Sequence, residues 1–184
     1  AFEGLTSYYD DLALVRSGLI THEQYLESLG RSITQLLRMP GRHRQSLAES
    51  SFDAWIKYYR QDENSPNAIV SYYGKGSLVG LCLDLHIRNS TAGRKSLDDV
   101  MRALWKKHGR QGNNGGHGVP EDGVEKLAEA VTGLKLSRHF DRWLRGTAEL
   151  PLAELLATHG VALDLRPAES ESDKGGRRLV KSAQ

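Results

Sequence analysis

Histidine and acidic side chains are the groups of this chain that could hold a metal ion or act as a general base. The dipeptide His22-Glu23 begins like the zinc-binding motif His-Glu-x-x-His, in which two histidines four residues apart share one face of a helix. Leu26 occupies the position of the second histidine. The histidines lie at positions 22, 43, 86, 108, 117, 139 and 159, and no two are four residues apart. The chain therefore carries no complete motif of this kind, and surface or capping roles are expected for its histidines.

Neither glycine-rich segment of the chain matches a nucleotide-binding loop. A phosphate loop has a glycine, four further residues and then Gly-Lys-Ser/Thr. In the segment Tyr73-Gly74-Lys75-Gly76-Ser77 a glycine separates the lysine from the serine, and the earlier glycine is missing. Residues 109–118 contain five glycines and two asparagines but no Lys-Ser/Thr pair. Their composition predicts a flexible surface loop.

The composition fits one folded domain and argues against several classes of protein. With 184 residues the chain is long enough to bury a hydrophobic core. Its 25 lysines and arginines are scattered and are balanced by 23 acidic residues, so nucleic-acid binding is not expected. The single cysteine, Cys82, lies in an apolar run, which excludes an internal disulfide and predicts a core position.

The sequence shows no targeting or membrane segment. No apolar run reaches membrane-spanning length, and no signal peptide is visible. We therefore expect no membrane partner and favour a cytoplasmic location, with the periplasm as the alternative. The chain begins at Ala1, without an initiator methionine, in what resembles the middle of a helix. It is therefore expected to be a fragment of a longer protein.

Helical periodicity dominates the first half of the chain. Apolar residues at helical spacing predict one helix within the first 18 residues and a second between Thr21 and Pro40. Thr21 and Gln24 have the spacing of a capping box, which would begin the second helix. A long helix predicted at residues 71–88 is apolar on nearly all sides. It should therefore lie at the centre of the core.

The other segments are expected to be shorter helices and connections. Ser96 is predicted to cap a helix that runs to about residue 108, Pro120 to begin the next helix, and Gly133 to end it. Further expectations are short helices at residues 52–59, 137–145 and 151–159, one possible strand at residues 161–165, and a polar linker or disordered tail at residues 167–184. Residues 1–166 would then form the helical portion.

Three blocks of the chain, taken together, resemble one known family. They are Glu3-Gly4-Leu5-Thr6-Ser7-Tyr8-Tyr9-Asp10-Asp11, Ala48-Glu49-Ser50-Ser51-Phe52-Asp53-Ala54-Trp55 and Ser71-Tyr72-Tyr73-Gly74-Lys75-Gly76. Their order and spacing are similar to those of the glycyl aminopeptidase family of gluzincin zinc metallopeptidases, whose catalytic domain is usually followed by a PDZ domain. Residues 133–165 also resemble the end of that family's helical domain. The resemblance therefore covers nearly the whole chain and implies the C-terminal part of the catalytic domain.

The resemblance implies site residues in two of these blocks. Glu3 is implied as the third ligand of a zinc ion held by two histidines and a glutamate. Tyr73, which has the Tyr-x-Lys-Gly register, is implied as the hydrogen-bond donor to the oxyanion of the tetrahedral intermediate. Tyr72 is the adjacent alternative, and on a helix its direction would differ by about 100°. Thr6 lies one turn after Glu3 and is a candidate for holding a ligand in place.

The resemblance also implies what the chain lacks. The two histidine ligands and the general-base glutamate of the family are expected upstream of Ala1. By itself the chain is therefore predicted neither to hold zinc tightly nor to cleave peptides. The parent would be a zinc aminopeptidase that acts on peptides, with a preference for small N-terminal residues. Asp62, Glu63 and Asn64 could line its substrate cleft or form a solvated turn.

The expected fold is mostly α, an orthogonal array of about seven to eight helices around residues 71–88 with little or no sheet. It would correspond to the C-terminal part of a thermolysin-like metallopeptidase domain. Two other functions are left open by the residues. One is a helical interaction or scaffold module without catalytic activity, and the other is a degenerate peptidase that binds peptides without cleaving them.

Overall fold

The chain folds into helices joined by turns. The computed structural model describes residues 2–109 and 118–177, and within them there is no strand. The α-helices of this part are Phe2–Arg16 (α1), His22–Leu37 (α2), Leu47–Phe52 (α3), Ser65–Ala68 (α4), Gly74–Ser90 (α5), Leu97–Leu104 (α6), Gly123–Thr132 (α7), Ser137–Phe140 (α8) and Leu152–Ala157 (α9). The prediction of a mostly α fold is confirmed.

Short segments of tighter or wider helix connect or extend these elements. A 3₁₀ turn at Pro40–His43 follows α2. Three π-helical segments, Ala54–Tyr58, Trp105–Gly109 and Asp141–Arg145, follow α3, α6 and α8. The helix predicted at residues 52–59 is therefore π-helical from Ala54 to Tyr58, because α3 ends at Phe52. The helix predicted at residues 137–145 combines α8 with a π-helical segment.

Some sequence predictions need correction. The possible strand at residues 161–165 is wrong, because this segment has no regular secondary structure and the described part of the chain offers no strand to pair with it. Pro120 precedes α7 by three residues instead of opening it, and its carbonyl oxygen accepts from the Gly123 amide at 2.9 Å. The glycine-rich loop predicted at residues 109–118 lies outside the described residues except for its two ends.

The ends of several helices are set by capping residues close to them in the sequence. At the start of α2, the Gln24 amide donates to the Thr21 hydroxyl at 3.2 Å and the Thr21 amide donates to the Gln24 side chain at 2.9 Å, so the predicted capping box is confirmed. Ser96 caps α6 in the same way, with Asp99 as its partner. Gly133 ends α7 with φ at 73°, a left-handed conformation in which glycine has no steric penalty.

Helix α5 is the centre of the core, as predicted. Helices α1, α2, α6 and α9 pack against it. Its apolar side chains are buried on all sides, namely Leu78, Val79, Leu81, Cys82, Leu83, Leu85 and Ile87. Cys82 is fully buried, and burial raises the pKa of its thiol to about 12. It is therefore an unreactive core residue, as the sequence predicted.

A buried carboxylate ties three helices together. Asp84 of α5 is 4% exposed and accepts from the hydroxyl of Tyr8 on α1 at 2.8 Å. It also accepts from the Arg88 guanidinium at 2.9 Å and from the Leu97 amide, at the start of α6, at 2.7 Å. Because a buried charge is stable only when it is paired and hydrogen-bonded, this cluster fixes the relative positions of α1, α5 and α6.

The chain after α9 runs back along α2. A Cβ placed on Gly30 of α2 would lie 2.7 Å from the Cα of Gly176, so the two backbones are in contact. Arg166 and Asp173, which precede Gly176 in the chain, form an ion pair at 2.6 Å. The predicted domain boundary at residue 166 stays a prediction, and residues 178–184 of the predicted tail lie outside the described part.

None of the helices in the described segments combines the length and apolar character needed to cross a membrane.

Candidate active site

The crossing of α1 and α5 brings two of the predicted site residues to one place. A Cβ placed on Gly4 would lie 2.7 Å from the Cα of Gly76, and one placed on Gly76 would lie 2.8 Å from the Cα of Gly4. Only glycine lets two helix backbones approach this closely. Glu3 directly precedes Gly4, and Tyr73 lies three residues before Gly76. The glycines of the two sequence blocks are therefore what brings Glu3 and Tyr73 near each other.

Tyr72 and Tyr73 share one hydrogen-bonding partner. The hydroxyl oxygen of Tyr59 lies 2.9 Å from that of Tyr72 and 3.1 Å from that of Tyr73. The rings of Tyr72 and Tyr73 are 4.4 Å apart between centroids. The expected separation of about 100° between their directions is wrong, because both residues precede α5, which begins at Gly74. Both hydroxyls are therefore present at the same site.

The tyrosine cluster favours protonated phenols at Tyr72 and Tyr73. The hydrogen bonds that Tyr59 makes with Tyr72 and Tyr73 lower the pKa of Tyr59. The hydrogen bond with Tyr59 raises the pKa of Tyr73, and the negative charge of Glu3 acts in the same direction. The pKa of Tyr72 is also raised, first by its hydrogen bond with Tyr59. A tyrosine is already protonated at neutral pH, and the raised pKa acts in the same direction, so Tyr73 can donate its proton in a hydrogen bond.

The Glu3 carboxylate is exposed and, among the described residues, without a partner at the candidate site. Within the described segments it forms no hydrogen bond or ion pair. A catalytic zinc needs three protein ligands. No group of three or more His, Cys, Asp or Glu side chains in residues 2–109 and 118–177 is arranged to hold a metal ion. Among the described residues, Glu3 therefore has no neighbouring side chains that would complete a metal site with it.

Thr6 contacts the backbone of Glu3 and not its carboxylate. The Thr6 hydroxyl donates to the Glu3 carbonyl oxygen at 2.9 Å and to the Phe2 carbonyl oxygen at 3.1 Å. These two acceptors belong to the first turn of α1. Thr6 therefore stabilises the turn that carries Glu3, and it could position the carboxylate only through the backbone.

The acidic turn before α4 is explained by local hydrogen bonds. The Asp62 carboxylate accepts from the Asn64 amide and from the Ser65 hydroxyl, each at 3.0 Å. Glu63 lies between them and is exposed. Of the two interpretations left open by the sequence, the solvated turn accounts for the contacts of Asp62 and Asn64.

Two buried polar residues hold the segment that leads into the tyrosines. The Val70 amide donates to the Gln45 side chain at 3.0 Å, and the Ser50 hydroxyl donates to the Val70 carbonyl oxygen at 2.5 Å. Both side chains are almost fully buried. Ser50 belongs to the second sequence block, which explains why that block accompanies the tyrosine block. Sequence reasoning missed these two residues and Tyr59, because nothing in their local spacing indicates such distant partners.

Two histidines depart from the surface or capping roles expected of them. His86 of α5 and His139 of α8 stack with their ring centroids 4.1 Å apart, and the Trp143 ring lies edge-on to both. The Nδ1 atom of His139 is buried and has no hydrogen-bond partner among the described residues. This pair belongs to the packing between α5 and α8 and lies outside the tyrosine cluster.

Comparisons with known proteins agree with the arrangement of the three blocks. Residues 1–79 match the family model described as M61 glycyl aminopeptidase, and all three blocks lie within this range. An aminopeptidase N family protein from Idiomarina loihiensis has a similar solved structure, with a TM-score of 0.88 and 37% sequence identity. The alignment covers 97% of this chain and 30% of that protein, so the chain spans less than a third of its relative's length. No curated protein gives a significant match. Residues 1–79, which contain Glu3 and Tyr73, are thus the part of the chain that is similar to the M61 glycyl aminopeptidase family.

Proposed function

We propose that the chain is the C-terminal part of the catalytic domain of a zinc-dependent aminopeptidase, which removes N-terminal residues from peptides. The observation that carries this proposal is the crossing of α1 and α5 at Gly4 and Gly76, which brings a free carboxylate and a protonated phenol together. The match of residues 1–79 to a peptidase family supports it.

In this proposal Glu3 is the third protein ligand of the zinc ion. An exposed carboxylate without a competing ion pair is free to bind a metal, and α1 fixes its position through the contact with α5. Zinc, when bound, would supply Lewis-acid chemistry at the scissile carbonyl and at a water molecule. Two histidines and a general-base glutamate would come from a part of the protein upstream of Ala1.

Tyr73 donates a hydrogen bond to the oxyanion that forms when the scissile carbonyl is attacked. A phenol keeps its proton at neutral pH, and the hydrogen bond with Tyr59 raises the pKa of Tyr73 further. The Tyr59 hydroxyl holds the phenol in place before substrate arrives. One such preorganised donor contributes about 3 to 4 kcal/mol to transition-state stabilisation.

The first test compares the chain with the full-length protein. We expect the purified 184-residue chain, treated with chelator and then supplied with zinc, to release no amine from a glycyl anilide. The full-length protein should release it. Amine release by the chain alone would contradict the proposal that essential ligands lie upstream.

The second test addresses Glu3 in the full-length protein. Glu3→Gln should lower metal content, measured by atomic emission, and should lower kcat/KM by at least about 100-fold, because a neutral amide is a poor zinc ligand. Glu154→Gln makes the same change at an exposed position of α9 and should leave both quantities unchanged. Full metal content in Glu3→Gln would exclude this residue as a ligand.

A second candidate function is a helical interaction module without catalytic activity. It is favoured by an exposed apolar group at α3 and the following π-helical segment, in which Phe52 is 89% exposed, Trp55 79% and Ile56 66%. A degenerate peptidase that binds peptides without cleaving them is a related possibility. Metal content and peptide turnover of the full-length protein distinguish the aminopeptidase from these two alternatives. Only the active enzyme should both bind the metal and cleave peptides.

Three finer points belong to the same proposal. The enzyme would prefer small N-terminal residues such as glycine or alanine. A PDZ domain would follow the catalytic domain, as is usual in the family. The compartment would be the cytoplasm, with the periplasm as the alternative. Peptide profiling, the full gene sequence and cell fractionation test these points in turn.

A further inference from the structure

Val70 lies in the connection between α4 and α5, and side chains satisfy both of its backbone hydrogen-bonding groups. Its amide donates to the side-chain oxygen of Gln45 at 3.0 Å, and its carbonyl oxygen accepts from the hydroxyl of Ser50 at 2.5 Å. Val70 is fully buried, Ser50 is 2% exposed and Gln45 is 6% exposed. Because a buried backbone group without a partner is destabilising, these two side chains fix the course of the backbone at Val70.

The residue before Val70 is held by a close contact between two backbones. A Cβ placed on Gly41 would overlap the carbonyl group of Ile69, so only glycine fits at this position. The Gln45 amide donates to the Gly41 carbonyl oxygen at 2.9 Å, which joins the contact at Ile69 to the hydrogen bond at Val70. Residues 41–50 therefore hold residues 69 and 70 at three points.

Ser50 is itself fixed by the start of α3. The Glu49 amide donates to the Ser46 hydroxyl at 3.2 Å, and the Ser46 amide donates to the Glu49 carboxylate at 2.8 Å, which completes a capping box. The Ser50 amide donates to the Ser46 carbonyl oxygen at 3.0 Å in the first turn of the same helix. The Ser50 hydroxyl is therefore carried by a well-anchored turn, as a side chain that positions another group requires.

A closed turn leads from Val70 to Tyr73. The Gly74 amide donates to the Ser71 hydroxyl at 3.1 Å, and the Lys75 amide donates to the Ser71 carbonyl oxygen at 2.9 Å. The turn therefore continues directly into α5, the central helix of the core. With its other end fixed at Val70, it leaves the backbone of Tyr73 little freedom to move.

We infer that Gln45 and Ser50 are positioning residues of the active site, which act through Val70 to hold the Tyr73 phenol where the oxyanion forms. This inference rests on the proposed aminopeptidase function. Tyr59 contacts only the hydroxyl of Tyr73 and is itself half exposed, so it orients the phenol without fixing the backbone. A misplacement of about 1 Å can lower a rate about 100-fold. Two buried side chains that cannot touch substrate therefore set the rate.

The test begins with Ser50→Ala in the full-length protein and a glycyl anilide as substrate. The variant should lower kcat about 10-fold and keep KM within about twofold, because the oxyanion donor acts in the transition state and not on bound substrate. Metal content should stay unchanged. Ser51→Ala makes the same change at the exposed neighbour on α3 and should behave like the wild type. An unchanged kcat in Ser50→Ala would overturn the inference.

A double-mutant cycle separates positioning of Tyr73 from a general loss of structure. In a Tyr73→Phe background, Ser50→Ala should lower kcat by less than about twofold further, because the hydroxyl that it positions is already absent. Gln45→Met removes the other hydrogen bond to Val70, keeps the length of the side chain and should give the same cycle. It decides the question if Ser50→Ala does not fold. An equal fall of kcat in both backgrounds would overturn the inference.

A fluorine resonance separates this inference from the proposed function. With 3-fluorotyrosine incorporated at position 73 of the full-length protein, the ¹⁹F signal should move in Ser50→Ala and in Gln45→Met and should stay in place in Ser51→Ala. A signal that stays in place in the first two variants would overturn the positioning role, even if Tyr73→Phe lowers kcat. A signal that moves, together with an unchanged kcat in Tyr73→Phe, would instead contradict the proposed role of Tyr73 in catalysis.

Discussion

The hydroxyl oxygen of Tyr59 lies 3.1 Å from that of Tyr73, although 14 positions separate the two residues in the chain. Tyr59 follows the π-helical segment after α3, and Tyr73 directly precedes α5. The contact joins the segment that follows the second sequence block to the third block at the candidate site. It holds the phenol of Tyr73 and raises its pKa further above neutral pH.

The choice between Tyr73 and Tyr72 can be tested with two matched variants of the full-length protein. Tyr73→Phe should lower kcat by about 100- to 1,000-fold, because it removes an oxyanion donor, and should leave zinc content unchanged. Tyr72→Phe removes a hydroxyl that also contacts Tyr59 and should have a much smaller effect on kcat. Steady-state kinetics with a glycyl anilide measures both. If Tyr72→Phe lowers kcat more than Tyr73→Phe does, Tyr72 and not Tyr73 is the oxyanion donor.

The glycine contact between α1 and α5 should be intolerant of a methyl group. Gly76→Ala would place a Cβ 2.8 Å from the Cα of Gly4, so the helices must separate, and we expect a loss of about 1 to 3 kcal/mol in the free energy of unfolding. Gly74→Ala, two residues earlier, would meet the nearest atoms of Ser71 at 3.7 Å and should be neutral or stabilising. Urea unfolding followed by circular dichroism compares them. Equal stability of the two variants would contradict the close crossing.

The buried carboxylate of Asp84 should be essential to the fold. Asp84→Ala leaves the Tyr8 hydroxyl, the Arg88 guanidinium and the Leu97 amide without their acceptor, and we expect a loss of about 3 to 5 kcal/mol in the free energy of unfolding. Asp122→Ala removes an exposed ion pair with Lys126 and should cost at most about 1 kcal/mol. Urea unfolding of both variants gives the comparison. A small effect at Asp84 would show that the cluster does not hold the helices together.

The stacked histidines should make stability depend on pH. Burial lowers the pKa of His86 and of His139, the neighbouring His139 lowers that of His86 further, and Arg142 and Arg138 lower that of His139 further. The folded state therefore binds fewer protons than the unfolded state below the ordinary histidine pKa of about 6.5. The stabilisation is present above that pH and is lost as the pH falls through the lowered values of the folded state.

The measurement is the urea midpoint of the 184-residue chain at pH 7.5 and at pH 5. The midpoint should fall at pH 5, where most carboxylates are still ionised. The double variant His86→Gln, His139→Gln should show a smaller fall than the wild type. His22→Gln, at an exposed position near the start of α2, should behave like the wild type. An equal fall in the double variant would assign the pH dependence to other groups.

The sequence by itself determined where the longer helices lie and which family the first blocks resemble. Apolar spacing located α1, α2 and α5, capping residues such as Thr21 and Ser96 located helix starts, and the three blocks indicated the family whose model matches residues 1–79. These features depend on residues a few positions apart, so the signal is present in the chain itself.

Only the tertiary structure decided which residues meet. The contact of Gly4 with Gly76, the hydroxyl contacts of Tyr59, and the burial of Lys75 join residues from separate helices and turns. Local periodicity carries no record of such partners, because they are set by packing between helices that are far apart in the sequence. The sequence could therefore name Glu3 and Tyr73 by resemblance, while the reason they come together lies in the close approach of two glycines on different helices.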